Sequence, residues 1–123
     1  MSAPADAPLM ELLHATSRSF YLTLRVLPRA VRPQIALAYL LARTADTIAD
    51  TELVPPEHRL DALQRLRERI RGNRGVALNF ADLAAHQGAP AERALLERVE
   101  ESLAALDALA PEDLRLVRAV LET

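Results

Sequence analysis

Alanine and leucine contribute 23 residues each to this 123-residue chain, whereas glycine contributes three. Both are strong helix formers, and the β-branched residues that favour sheets are sparse, so the chain is expected to be all-α. Turn formers cut the helical material into lengths. Pro28, Pro55-Pro56, Pro90 and Pro111 mark breaks, as does Gly72-Asn73-Arg74-Gly75. Helices are therefore expected over Leu9–Ala15, Phe20–Leu27, Val31–Asp50, Glu57–Arg71, Ala91–Leu109 and Leu114–Glu122. Residues 78–87 fit either helix or loop. Residues 1–8 read as a loose Pro/Ala leader, and 9–123 as a single helical unit without a long linker. The spacing of Leu96, Val99, Leu103, Leu106 and Ala110 gives the fifth of these helices one buried stripe.

Several chemistries are closed to this composition. Without cysteine there are no disulfides, thiolate metal sites or cysteine nucleophiles. All fifteen basic residues are arginine, so neither a Schiff-base lysine nor a P-loop lysine is available. The ordinary reading of that bias is genomic base composition. The net charge of −2 argues against a chain built chiefly to grip nucleic acid or an anionic membrane, and the four aromatics, Phe20, Tyr21, Tyr39 and Phe80, are too few for base-stacking platforms. The longest apolar run, Ile35 to Ala42, is far short of the ~20 residues needed to cross a bilayer. The start of the chain carries no basic, apolar signal segment. A cytoplasmic location is expected, with peripheral membrane contact left open.

The informative stretch is Tyr39-Leu-Leu-Ala-Arg43-Thr-Ala-Asp46-Thr-Ile-Ala-Asp50. At ~100° per residue, Arg43, Asp46 and Asp50 fall at roughly 40°, −20° and 20° from Tyr39, on one narrow strip. The rest of this helix is apolar, so the strip reads as the lining of a cavity within a helical bundle. Asp46 and Asp50 stand one turn apart and repel each other. Arg43 offsets that in part. A magnesium ion would do so better, because it is bound by one or two carboxylates and completes its shell with water and substrate phosphates. The same pair would also suit a solvated helix end. A second candidate is Thr16-Ser17-Arg18-Ser19, where hydroxyls, a guanidinium and free helix N–H groups together suit an anion. An ordinary N-cap explains it as well.

Taken together, Ser17-Arg18-Ser19-Phe20, the spacing to Tyr39, and Arg43-x-x-Asp46-x-x-x-Asp50 resemble the squalene/phytoene synthase family, most clearly over residues 9–51. The resemblance implies a helical bundle of the isoprenoid-synthase type, here incomplete, and a magnesium-dependent prenyltransferase joining two prenyl diphosphates head-to-head. Asp46 and Asp50 would hold Mg²⁺. Arg43 and the turn Thr16, Ser17, Arg18, Ser19 would meet the diphosphate, and Tyr39 would line the cavity. The substrate would be farnesyl or geranylgeranyl diphosphate, with farnesyl diphosphate going to presqualene diphosphate or squalene favoured over the phytoene reaction. NADPH would enter only in a squalene-type reduction.

Two departures accompany the resemblance. Ala49 stands where many eukaryotic squalene synthases carry glutamate, and no second Asp-x-x-x-Asp follows, Asp107 and Asp113 being six apart. The chain is accordingly expected to be a fragment, inactive alone and partnered by a missing C-terminal half. The competing reading is a non-catalytic helical module or one half of a split enzyme. The remaining polar residues suggest structural roles: His14, His58 and His86 are isolated, Arg65, Arg67, Arg69, Arg71 and Arg74 suit a solvated helix face, and Glu97, Glu100 and Glu101 do likewise.

Overall fold

The computed structural model describes residues 6–122. Eight helices follow in order: α1 (Asp6–Thr16), α2 (Arg18–Arg25), α3 (Arg32–Asp50), α4 (Pro56–Ile70), α5 (Ala81–Ala85), α6 (Pro90–Glu97), α7 (Val99–Asp107) and α8 (Pro111–Glu122). A 3-10 turn over Arg29–Val31 joins α2 to α3. No strand occurs among the described residues, so the fold is all-α as expected.

Proline placement explains where the helices begin. Pro33, Pro56, Pro90 and Pro111 each sit in a first turn, where the missing N–H would have had no partner and the fixed φ already suits a helix. Ser17 separates α1 from α2 by capping the latter: its hydroxyl accepts a hydrogen bond from the Phe20 amide at 3.3 Å. At the far end of α4 the chain turns through Gly72, whose φ of 104° is open to glycine and costly for other residues. Arg118 of α8 lies against that glycine and donates from Nε to the Ile70 carbonyl at 2.7 Å, filling an orphan acceptor at the helix end.

α3 is the axis of the bundle, packing against α1, α2, α4, α6, α7 and α8. Its buried residues, Ala36, Leu37, Leu40, Leu41, Thr44, Thr47 and Ile48, recur every three or four positions. They meet Leu12 and Leu13 of α1, Leu24 of α2, Leu66 of α4, Leu95 and Leu96 of α6, Leu103 and Leu106 of α7 and Val117 of α8 in one core. The threonines enter this core without orphaned hydroxyls. Thr44 donates to the Leu40 carbonyl, and Thr51, just past the helix end, donates to that of Thr47, each at 2.7 Å. Arg59 of α4 closes the end of α3, donating from Nη1 to the Ala49 carbonyl at 2.6 Å and from Nε to that of Val54 at 3.0 Å.

Some boundaries differ from the sequence expectation. α1 starts at Asp6, so the last residues of the expected leader are helical; its first five lie outside the described residues. Residues 81–85 of the ambiguous stretch form the short α5. The long helix expected over Ala91–Leu109 is two helices, broken at Arg98 with φ −107° and ψ 16°. No proline or glycine stands there, so nothing local announces the break. It lets α6 pack on α1 and α5 while α7 packs on α4, with α3 in contact with both.

The charged helix ends are tied to one another. Glu122 of α8 accepts from Arg71 Nε and Nη2, both at 2.9 Å, with Arg67 Nη2 at 3.4 Å, and the Arg71 hydrogen bond is the main cause that pulls its pKa down to about 2. Because the folded value is depressed, this contribution is present above the unfolded carboxylate value of 4.5 and lost as pH falls towards 2. The contacts are exposed and salt-screened, so the effect is small. The wild-type protein should therefore be more stable than E122Q near neutral pH and lose that advantage on acidification, read as converging urea midpoints. In the core, Leu41→Ala should cost about 2–5 kcal/mol, whereas Leu53→Ala, at a side chain 76% exposed, should stay within about 0.5 kcal/mol. Equal urea midpoints for the two would contradict the placement of α3 at the centre.

Candidate active-site cleft on helix α3

The C-terminal half of α3 turns its polar strip away from the core and towards the segment linking α5 to α6. A cleft of about 220 Å³ opens there, lined by Arg43, Asp46, Thr47 and Asp50 of α3, by Gln87, and by Glu92 in the first turn of α6. Three of the four strip residues expected from the sequence thus meet in one place. Asp46 and Asp50 are exposed at its rim, one helical turn apart.

Glu92 organises the wall. Its Oε1 accepts from Arg43 Nε at 3.1 Å and also from Nη2, while its Oε2 accepts from the hydroxyl of the buried Thr47. One half-buried carboxylate therefore fixes two neighbouring residues of α3 with charge-assisted hydrogen bonds. Hydrogen bonding to Glu92 is the largest influence raising the Arg43 pKa, with its charge and that of Asp46 adding to it. Gln87 completes the wall, donating to Thr51 Oγ1 at 3.3 Å and accepting from the Ala89 amide at 3.2 Å.

Sequence reasoning missed Glu92, Thr47 and Gln87. Thr47 had a readable signal, because at ~100° per residue it lies about 40° from Arg43 on the wheel. Glu92 had none: an acidic residue just after Pro90 reads as an ordinary first-turn residue favoured by the helix dipole, and its partners lie 45 and 49 positions away.

The other expected site residues lie elsewhere. Tyr39 is stacked on Phe20 of α2, ring centroids 4.3 Å apart, and does not line the cleft. In the Thr16–Ser19 turn, the Thr16 hydroxyl donates to the Leu12 carbonyl at 2.8 Å and the Ser17 hydroxyl caps α2. Arg18 and Ser19 are exposed, and the Ser19 carbonyl accepts from the Thr23 hydroxyl at 3.0 Å. None of these four residues lines the cleft. The expected surface roles of the later acids are met by ion pairs: Glu97 with Arg93, Glu100 with Arg69, and Glu101 with Arg98.

Among the described residues no three acidic, histidine or cysteine side chains converge on a metal position. What the rim offers is two hard oxygen donors with open space before them. That donor set fits a magnesium ion that keeps its waters and borrows further oxygens from a phosphate, and it does not fit a fully protein-built cage.

The fold is thus an all-α bundle whose central helix lines a cleft edged by arginine and aspartate. The chain is a member of the squalene/phytoene synthase family, whose model matches residues 13–123. It is also similar to a presqualene diphosphate synthase of Sinorhizobium fredii (strain NBRC 101917 / NGR234), at 43% identity over 70 residues. That match takes in 57% of this chain and 25% of the relative's length. No solved structure matches the chain.

If Glu92 holds Arg43 as the geometry indicates, the two are energetically coupled. A double-mutant cycle with R43M and E92Q should return about 1 kcal/mol of coupling in urea unfolding, the scale of a charged hydrogen bond reduced by partial exposure. A coupling of zero would remove Glu92 from the wall.

Proposed function

We propose that this chain carries the first aspartate-rich wall of a head-to-head prenyl synthase site, with farnesyl diphosphate going to presqualene diphosphate as the favoured reaction. The observation that carries the proposal is the convergence of Arg43, Asp46 and Asp50 on one cleft in a member of the squalene/phytoene synthase family. The substrate assignment draws on the likeness to the Sinorhizobium presqualene diphosphate synthase.

In this reading Asp46 and Asp50 hold Mg²⁺, which when bound neutralises charge on the departing diphosphate. Arg43 stands three and seven residues ahead of them on the same strip, so its guanidinium meets the same group of oxygens. Glu92, itself held by the Thr47 hydroxyl, keeps it from swinging into solvent. Preorganised donors of this kind stabilise charge that develops as a bond breaks. The allylic C–O bond breaks with its electron pair leaving on the diphosphate. The double bond of a second prenyl diphosphate attacks the resulting cation, and a proton is lost as the cyclopropane closes.

Calorimetric titration with inorganic pyrophosphate tests the wall without requiring turnover. Binding should depend on Mg²⁺ and weaken on the order of 100-fold in D46N or D50N, the scale of losing one preorganised charge-stabilising group. Product analysis with farnesyl diphosphate and Mg²⁺ then separates the two readings of the chain. Turnover supports the synthase, whereas Mg²⁺-dependent binding without product supports the half-enzyme. Pyrophosphate binding that ignores both substitutions would overturn the site.

A further inference from the structure

Charge is unevenly divided along this chain. Between residues 12 and 45 there are five arginines and no acidic residue, although the net charge of the whole is −2. One of the five, Arg43, belongs to the cleft. The others lie on α2 or just beside it. From Arg43 onward most arginines are ion-paired, as in Arg69–Glu100, Arg71–Glu122 and Arg98–Glu101. Among the described residues, none of Arg18, Arg25, Arg29 and Arg32 forms an ion pair.

The same segment leaves large apolar side chains in the open. Leu22 is 50% exposed, Val26 82% and Val31 39%. Leu22 and Arg25 are exposed on α2, and Val26, Arg29 and Val31 are exposed on the turn that follows it, so arginines and apolar side chains alternate along this flank. This flank is held firmly from behind. Leu24 is fully buried, Phe20 is stacked on Tyr39, and Arg32 donates to the carbonyls of Leu27 and Arg25, locking the turn that carries Arg29 and Val31. The Arg25 guanidinium sits 5.9 Å from the Tyr21 ring centroid.

We propose that the outer flank of α2 and the 3-10 turn after it, formed by Leu22, Arg25, Val26, Arg29 and Val31, seats this protein on an anionic lipid surface. Unpaired guanidinium groups answer the phosphates of such a surface, and the apolar side chains between them enter the boundary between headgroups and acyl chains. Both halves of the pattern are used. A second copy of this flank would set arginine against arginine. A nucleic acid would leave the exposed leucine and valines without a role. No helix among the described residues is long and apolar enough to cross a membrane, so the contact is interfacial. The inference uses residues outside the cleft and does not depend on the proposed reaction.

Co-sedimentation with vesicles tests it, using phosphatidylcholine alone and phosphatidylcholine mixed with phosphatidylglycerol. The protein should bind the mixed vesicles and not the neutral ones, and release as salt is raised. R25Q/R29Q should weaken binding on the order of 20-fold, about fivefold per charge near an anionic surface. V26D should abolish binding although both arginines remain, and L116S, at a residue 65% exposed on α8, should leave it unchanged. Circular dichroism melts confirm that each variant folds. Three outcomes would overturn the proposal: equal binding to the two vesicle types, wild-type binding by V26D, or self-association in sedimentation velocity, abolished by V26D, without vesicle binding.

Discussion

Everything in this molecule is arranged around a helix that must satisfy two environments at once. α3 packs against six other helices and so must be apolar over most of its circumference, yet one strip of it carries Arg43, Asp46 and Asp50 into a cleft. Charged groups cannot enter a core unpaired without a large desolvation cost. The conflict is resolved by position. The strip faces the α5–α6 link and the first turn of α6 across an open cleft, so the aspartates keep contact with water while Leu37, Leu40, Leu41 and Ile48 fill the core behind them.

The carboxylate of Glu92 is the hinge of that arrangement. It brings a third negative group close to two aspartates, which by itself would repel them. The repulsion is offset because both of its oxygens are spent on donors of α3, Arg43 and Thr47. The cleft thus has an inner layer in which charge is matched and an outer rim in which two carboxylates remain free for a cation. A site for a phosphorylated ligand and its metal needs both: a fixed guanidinium to receive the anion, and unspent oxygen donors to hold the ion that accompanies it.

Arginine is the only cation this chain uses, and it serves three separate ends. In α4, α6 and α8 it builds surface ion pairs and closes helix ends, as Arg118 does at Ile70 and Arg59 at Ala49. In α3 it faces the cleft. In α2 and the turn beyond it, it stays unpaired beside exposed valine and leucine. The planar guanidinium with its fork of donors suits all three, and what distinguishes them is only which acids the fold brings near.

Much of this was open to reading from local pattern. Ala/Leu abundance and proline spacing set the helices, since propensity and the N1 preference of proline act within a few residues. The Tyr39–Asp50 strip followed from helical geometry alone, and with the Ser-Arg-Ser-Phe turn it identified the family. What tertiary structure decided were the relations between distant parts. It broke the helix at Arg98, where no residue signals a break, because α6 and α7 must meet different neighbours. It turned Tyr39 onto Phe20 instead of into the cleft, and committed the Thr16 and Ser17 hydroxyls to backbone groups. And it supplied Glu92 from 49 positions beyond Arg43, a partnership no periodicity encodes, because side chains on different helices are paired by packing rather than by spacing along the chain.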